Sequence, residues 1–125
     1  PRTIKNMKEF GFDKQIERMD KMIFTEPIGY YDFMHLQMNA KFILTDSGGI
    51  QEESTYFGVP CLTLRENTER PITITEGTNQ LVKLETEEIV SKAEEIIKGS
   101  FKQGRIPKYW DGKTAERVVN YFRKL

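Results

Sequence analysis

The segment that most constrains this chain is Phe42-Ile43-Leu44-Thr45, four apolar or β-prone residues running straight into Asp46-Ser47-Gly48-Gly49. A continuous run of that kind, with no polar alternation, suits a strand covered on both faces, and such strands belong to parallel sheets. A parallel strand leaves through a crossover, and Ile50 to Phe57 supplies a helix that Gly58 and Pro60 end. Cys61-Leu62-Thr63-Leu64 reads as the next strand, Leu81-Val82 as a short later one, and Met22-Ile23-Phe24, stopped by Pro27 and Gly29, as an earlier one. Further helices are expected over residues 3–10, with Gly11 as a left-handed cap, and over Tyr31 to Met38, with Phe33, Met34 and Met38 inward. Another follows a Thr86 cap, with Ile89, Val90, Ala93, Ile96 and Ile97 as its apolar stripe and Gly99 at its end. The last follows Asp111, with Ala115, Val118, Val119, Phe122 and Leu125 on one face. This alternation predicts an α/β fold, a parallel sheet with helices on both faces. About four strands led by a helix are few for a doubly wound domain, so leading strands are expected to be missing, leaving an open sheet edge. Lys102 to Asp111 is the one candidate connection, able to carry the last helix away from the main body.

The 125 residues suffice for one domain and not for two. Nineteen Lys and Arg balance nineteen Asp and Glu, so the chain lacks the basic excess that a nucleic-acid binder needs. No apolar run approaches the roughly 20 residues that span a bilayer. Cys61 is the only cysteine, which excludes an internal disulfide and fits a reducing, cytoplasmic setting. One histidine, His35, builds no metal cluster, and no metal or cofactor is expected. The chain opens on Pro1 rather than Met and carries no leader pattern, so it reads as a segment of a longer polypeptide.

Asp46-Ser47-Gly48-Gly49 stands where ligands bind open parallel sheets, outside the carboxyl end of a strand. The first turn of the following helix has unpaired N–H groups and partial positive charge. Two glycines let a phosphate reach that backbone, and the Ser47 hydroxyl adds a donor. No Gly-Lys-Ser/Thr follows, so this is no triphosphate loop. Ser-Gly-Gly by itself reads more simply as a tight turn with a serine cap. Glu53 sharpens the choice: five residues beyond Gly48 it lies roughly 7.5 Å along the helix, about the offset from a pyrophosphate to ribose hydroxyls. It shares a face with Ile50 and Phe57, where a charge needs a partner; an ordinary ion pair is the alternative. Glu52 points about 100° away and reads as solvated. The loop Arg65 to Pro71 leaves the next strand toward the same crevice, and Arg70 can offer a bidentate guanidinium there or make a weak surface pair. Phe33 can stack on a base, although a core aromatic is the simpler reading of its pattern. His35 and Cys61 read as structural.

Taken together, Thr45-Asp46-Ser47-Gly48-Gly49-Ile50-Gln51-Glu52-Glu53, Gly58-Val59-Pro60, Arg65, Thr68-Glu69-Arg70-Pro71 and Glu76-Gly77-Thr78-Asn79 resemble the nucleotide-binding half of the non-hydrolysing UDP-N-acetylglucosamine 2-epimerases of bacteria and archaea. Asp111 to Val118 resembles that family's closing helix, and Pro1-Arg2-Thr3 the stretch just after a family His-Pro-Arg-Thr segment. The resemblance implies a Rossmann-like C-terminal domain of a glycosyltransferase-B type fold, residues 1–125 forming one partial UDP-binding domain. It implies an isomerase that interconverts UDP-GlcNAc and UDP-ManNAc by eliminating UDP, leaving a 2-acetamidoglucal, and re-adding it. By the same resemblance Ser47, Gly48 and Gly49 hold phosphates, Glu53 the ribose, Arg70 the nucleotide and Phe33 the uracil. The implied partners are a UDP-sugar, the N-terminal half of the same polypeptide, which the helix at 112–124 packs back toward, and a second copy in a homodimer. Ile72 departs from the glutamate that often follows Thr-Glu-Arg-Pro, which bears on sugar-side contacts. The family's catalytic aspartate, glutamates and histidine match no residue here, so no catalytic residue is assigned and the segment alone is expected to be inactive. A hydrolysing epimerase, a glycosyltransferase-B type transferase domain and a stand-alone nucleotide-binding module are the competing readings.

Overall fold

The computed structural model describes residues 2–125; Pro1, the first residue of the Pro-Arg-Thr resemblance, lies outside them. The chain divides into two units, one ending at Phe33 and one running from Met34 to Leu125. In the first, α1 (Arg2–Glu9) and α2 (Asp13–Ile16) are separated by Gly11 at φ +74°, the left-handed cap that the sequence calls for. Met22-Ile23-Phe24 is not a strand: it is irregular and exposed, with Ile23 85% accessible. Three residues carry too little β propensity to hold a strand without a ladder partner.

In the second unit three short parallel strands form one sheet in the order β1-β2-β3: β1 (Ile43–Thr45), β2 (Cys61–Thr63) and β3 (Asn79–Leu81). Ile43 pairs with Cys61 and Cys61 with Asn79, so the register runs straight across. α3 (Tyr30–Met38) precedes β1, α4 (Gly48–Phe57) joins β1 to β2, and α5 (Pro71–Thr75) joins β2 to β3. α6 (Thr86–Ile97) and α7 (Thr114–Phe122) follow. Alternation along β2 separates two environments. Leu62 faces α6 and packs with Val82 and Ile96, with Phe42, Leu64, Ile89, Ala93 and Phe101 around them. Cys61 and Thr63 face the other way: the thiol lies at Ser54 of α4, and Thr63 bonds Asn79, itself bonded to Gln51 of α4 and Thr73 of α5. Helices therefore cover both faces, as expected.

Several details differ from the pattern. Leu44 is 47% exposed because β1 is an edge strand and α6 centres on β2, so the run is not covered on both sides. On α3 the buried residue is Gln37, while Met38 is exposed and Met34 half-buried. α6 caps on Glu85 rather than Thr86, and Val90 and Ile97 lie at the exposed margin of its stripe. The α7 stripe is exposed throughout. Residues 102–107 are not a free connection: Lys102 Nζ donates to the Ile74 carbonyl at 2.6 Å, Arg105 N to the Glu76 carbonyl at 2.8 Å, and Arg105 Nε meets Glu76 Oε2 at 3.2 Å.

Gly77 and Gly104 make that docking possible. A Cβ on Gly77 would stand 2.4 Å from Thr55 Oγ1 and 2.6 Å from the Thr73 carbonyl oxygen, and one on Gly104 would stand 2.4 Å from the Gly77 carbonyl carbon. A Cβ on Gly48 meets nothing within 4 Å. Gly77→Ala should therefore destabilise the protein by about 1–3 kcal/mol, while Gly48→Ala leaves stability unchanged or raises it by up to about 1 kcal/mol. Thermal unfolding of the two variants checks this, and equal midpoints would refute the packing account. Burial also pushes the Cys61 thiol above its usual pKa, so at neutral pH it stays protonated. It should resist iodoacetamide in the native protein and react once guanidinium unfolds it; rapid native labelling would mean that β2 is not covered.

Candidate functional site

The site starts where β1 ends. Ser47 caps α4 in an extended conformation, φ −79° and ψ 132°, and its own N–H turns back to Thr45 Oγ1 at 3.1 Å. Its hydroxyl makes no capping bond to the helix. Gly48 and Gly49 are the first two residues of α4, so the helix begins two residues earlier than Ile50. Neither glycine has a positive φ, and neither has protein within 4 Å of a Cβ position. Backbone conformation and packing thus ask for no glycine at either place, although glycine weakens a helix. Leaving out the two side chains keeps the first-turn amides of α4 approachable from outside.

Glu53 lies one and a half turns further along. It is half-buried, and Gln37 Nε2 of α3 donates to its Oε2 at 2.6 Å. The carboxylate is thus partnered by a neutral amide, not by the ion pair that was the alternative. Gln37 is 3% exposed, and its Oε1 has no partner. The buried face of α4 is Gln51, Ser54 and Thr55, which leaves Ile50, Glu53 and Phe57 half-buried beside it.

Arg70 comes from the loop after β2 and caps α5, with Pro71 at the first helical position. Its Nε meets Glu52 Oε1 at 3.2 Å and its Nη1 meets Glu69 Oε2 at 3.6 Å. Glu52 is therefore not merely solvated: it draws the Arg70 head onto α4, one residue before Glu53. Ser47, Gly48, Gly49, Glu53 and Arg70 are all arranged around the outer half of α4 in the second unit. Phe33 belongs to the first unit, on α3, with its ring partly exposed.

Sequence reasoning missed a buried set of amides and hydroxyls. Gln51 Oε1 accepts from Thr68 Oγ1 at 2.6 Å and from Asn79 Nδ2 at 3.1 Å. Asn79 Nδ2 also donates to Thr73 Oγ1 at 3.1 Å, and Asn79 Oδ1 accepts from Thr63 Oγ1 at 2.6 Å. Thr68 Oγ1 accepts the Arg70 N–H at 2.9 Å, and Thr73 Oγ1 donates to the Arg70 carbonyl at 2.7 Å. Gln51, Asn79, Thr63 and Thr73 are fully buried. The only sequence signal was that Gln51, Thr68 and Asn79 each sit inside a motif quoted above; none shows an apolar period. Among the described residues no group of three or more His, Cys, Asp or Glu could hold a metal, and no helix is long and apolar enough to cross a membrane.

Comparison with known proteins gives a consistent picture. The family model described as UDP-N-acetylglucosamine 2-epimerase matches residues 1–123. The UDP-N-acetylglucosamine 2-epimerase of Methanocaldococcus jannaschii is 44% identical over 119 residues, covering 95% of this chain and 32% of that protein. The enzyme of the same description from Methanococcus maripaludis is 39% identical, over 96% of this chain and 32% of its own length. This chain thus spans about a third of the length of the curated relatives it matches. Among solved structures, the M. jannaschii enzyme superposes with a TM-score of 0.81 at 39% identity, covering all of this chain and 34% of that one. A structure of that enzyme in complex with UDP-GlcNAc and UDP matches with a TM-score of 0.76 at 40% identity over the same shares. The sheet with helices thus recurs in these relatives, as the α/β reading requires.

Proposed function

The chain belongs to the UDP-N-acetylglucosamine 2-epimerase family, and we propose that its part in such an enzyme is to grip UDP. In this reading the pyrophosphate lies against the first-turn amides of α4, with the Ser47 hydroxyl as a further donor. Glu53 accepts the ribose hydroxyls, steadied by Gln37. Arg70 turns its guanidinium to the diphosphate. The observation that carries the reading is that Gly48 and Gly49, the first two residues of α4, serve neither backbone nor packing. The relative solved with UDP-GlcNAc and UDP supports the ligand class.

For the intact protein we propose interconversion of UDP-GlcNAc and UDP-ManNAc by elimination and re-addition of UDP. UDP is then unbonded to the sugar between the two steps, so a dedicated grip is what such a cycle demands. The acids and bases that move the C2 proton belong to the N-terminal half, and the present segment alone has no turnover. The exposed face of α7, Ala115, Val118, Val119 and Phe122, packs back toward that half. The intact enzyme is a homodimer, and the unpaired Cys61 suits a cytoplasmic setting.

Calorimetry with UDP on the full-length enzyme tests the site. Glu53→Ala and Arg70→Ala should each weaken binding by about 1–3 kcal/mol, the value of a charged hydrogen bond. Gly49→Ala should weaken binding without lowering the thermal midpoint, since its Cβ meets only the ligand's space. Unchanged affinity in all three removes the assignment. Irreversible accumulation of UDP and free ManNAc would instead make the enzyme a hydrolysing epimerase.

A further inference from the structure

Arg70 is held at three levels, and only the outermost is electrostatic. Its guanidinium meets half-exposed Glu52 and fully exposed Glu69, surface ion pairs that are weak and exchangeable. Its two backbone polar groups are fixed by two hydroxyls: the N–H by Thr68 Oγ1 and the carbonyl by Thr73 Oγ1. Both hydroxyls are in turn oriented by two buried amides, Thr68 by Gln51 Oε1 and Thr73 by Asn79 Nδ2. The two amides bond each other through Asn79 Nδ2 and Gln51 Oε1. Each hydroxyl thus donates once and accepts once, and neither can rotate without losing a bond.

The set is not arranged for stability alone. Gln51 is completely buried, and its Nε2 has no partner while its Oε1 takes two donors. An unsatisfied buried amide calls for an explanation, because apolar packing would be cheaper there. Gln51 lies three residues beyond Gly48, on the same helix as the glycines and Glu53. A bond from Gln51 to Thr68 therefore fixes the loop that carries Arg70 to the helix whose mouth is the proposed phosphate site.

We propose that Gln51 and Asn79, acting through Thr68 and Thr73, are positioning residues that hold the Arg70 backbone in register with the mouth of α4, so that its guanidinium meets the diphosphate without a search of loop conformations. The inference rests on the reading of Arg70 as a diphosphate ligand. None of the four touches the ligand. Their effect is preorganisation, which lowers the ordering cost of binding.

A double-mutant cycle with UDP as the titrated ligand tests this on the full-length enzyme. Removing Gln51 or Asn79 risks the fold, so the variants are placed at the hydroxyl ends of the relay. Thr68→Val should weaken UDP binding about fivefold or more, and Thr68→Ser, which restores the hydroxyl, should bring it back to the parent value. In the Arg70→Ala background Thr68→Val should change UDP affinity little, because the group it positions is gone. Thr73→Val is the second arm, with the same expectation. An equal loss in both backgrounds would mark the threonines as merely structural and overturn the proposal. A weakened Arg70→Ala enzyme beside an unaffected Thr68→Val enzyme would overturn it too, leaving the UDP site standing. Unchanged affinity in Arg70→Ala itself would remove the site reading, and the positioning role with it.

Discussion

Asn79 Nδ2 donates to both Gln51 and Thr73 while Asn79 Oδ1 accepts from Thr63. Through this junction β2, β3, α4 and α5 are tied at one point. Each strand has only three residues, so backbone ladders alone would fix the register weakly. The side-chain bonds do more, because hydrogen bonds tolerate little displacement, whereas apolar contacts accept sliding. The two faces of the sheet divide the work. Leu62, Val82 and Ile96 on the α6 face remove hydrocarbon from water, and the opposite face spends buried polar groups on geometry. α4 and α5, the helices of the proposed UDP grip, lie on the geometric face.

That division explains what the sequence disclosed and what it hid. Apolar runs and glycine or proline stops announced α4, β1, β2 and α6, because those signals come from burial and backbone conformation. The mouth of α4 was legible for the same reason: strand, small residues and helix lie consecutively in the chain. The edge exposure of Leu44 was not, since one strand's pattern does not say how many strands lie beside it. Met22-Ile23-Phe24 has strand composition but no ladder partner among the described residues, and composition alone cannot supply one. α5 escaped notice because Pro71-Ile72-Thr73-Ile74-Thr75 is β-branched; Pro71 at its first position and the Thr73 bond to Arg70 outweigh propensity there. The Gln51–Asn79 pair was invisible for a further reason: the partners are 28 residues apart, and hydrogen-bonding amides leave no periodic trace.

Glycine shows the difference between structural and functional demand most sharply. Gly77 and Gly104 are needed by the protein, since backbone and Thr55 occupy the positions their side chains would take. Gly11, Gly58 and Gly99 are needed by the chain's direction, each with φ above +70°. Gly48 and Gly49 meet neither demand. A helix that begins with two such residues gives up rigidity in its first turn, and nothing inside the protein compensates. What the omission secures lies outside: amides with no Cβ in front of them, at the positive end of a ten-residue helix.

The placement of charge completes the argument. A bare cation beside a helix N-terminus would repel the partial positive charge there and drift away. Arg70 is kept from drifting by the threonines that hold its backbone, with Glu52 as a surface partner of its Nε. Pairing through Nε leaves the far edge of the guanidinium to exposed Glu69. Glu53, one position further on, is partnered by an amide rather than by a cation. Two adjacent glutamates of the same chemistry thereby take different partners, one a guanidinium and the other an amide. The difference arises entirely from the 100° that separates neighbours on a helix, about.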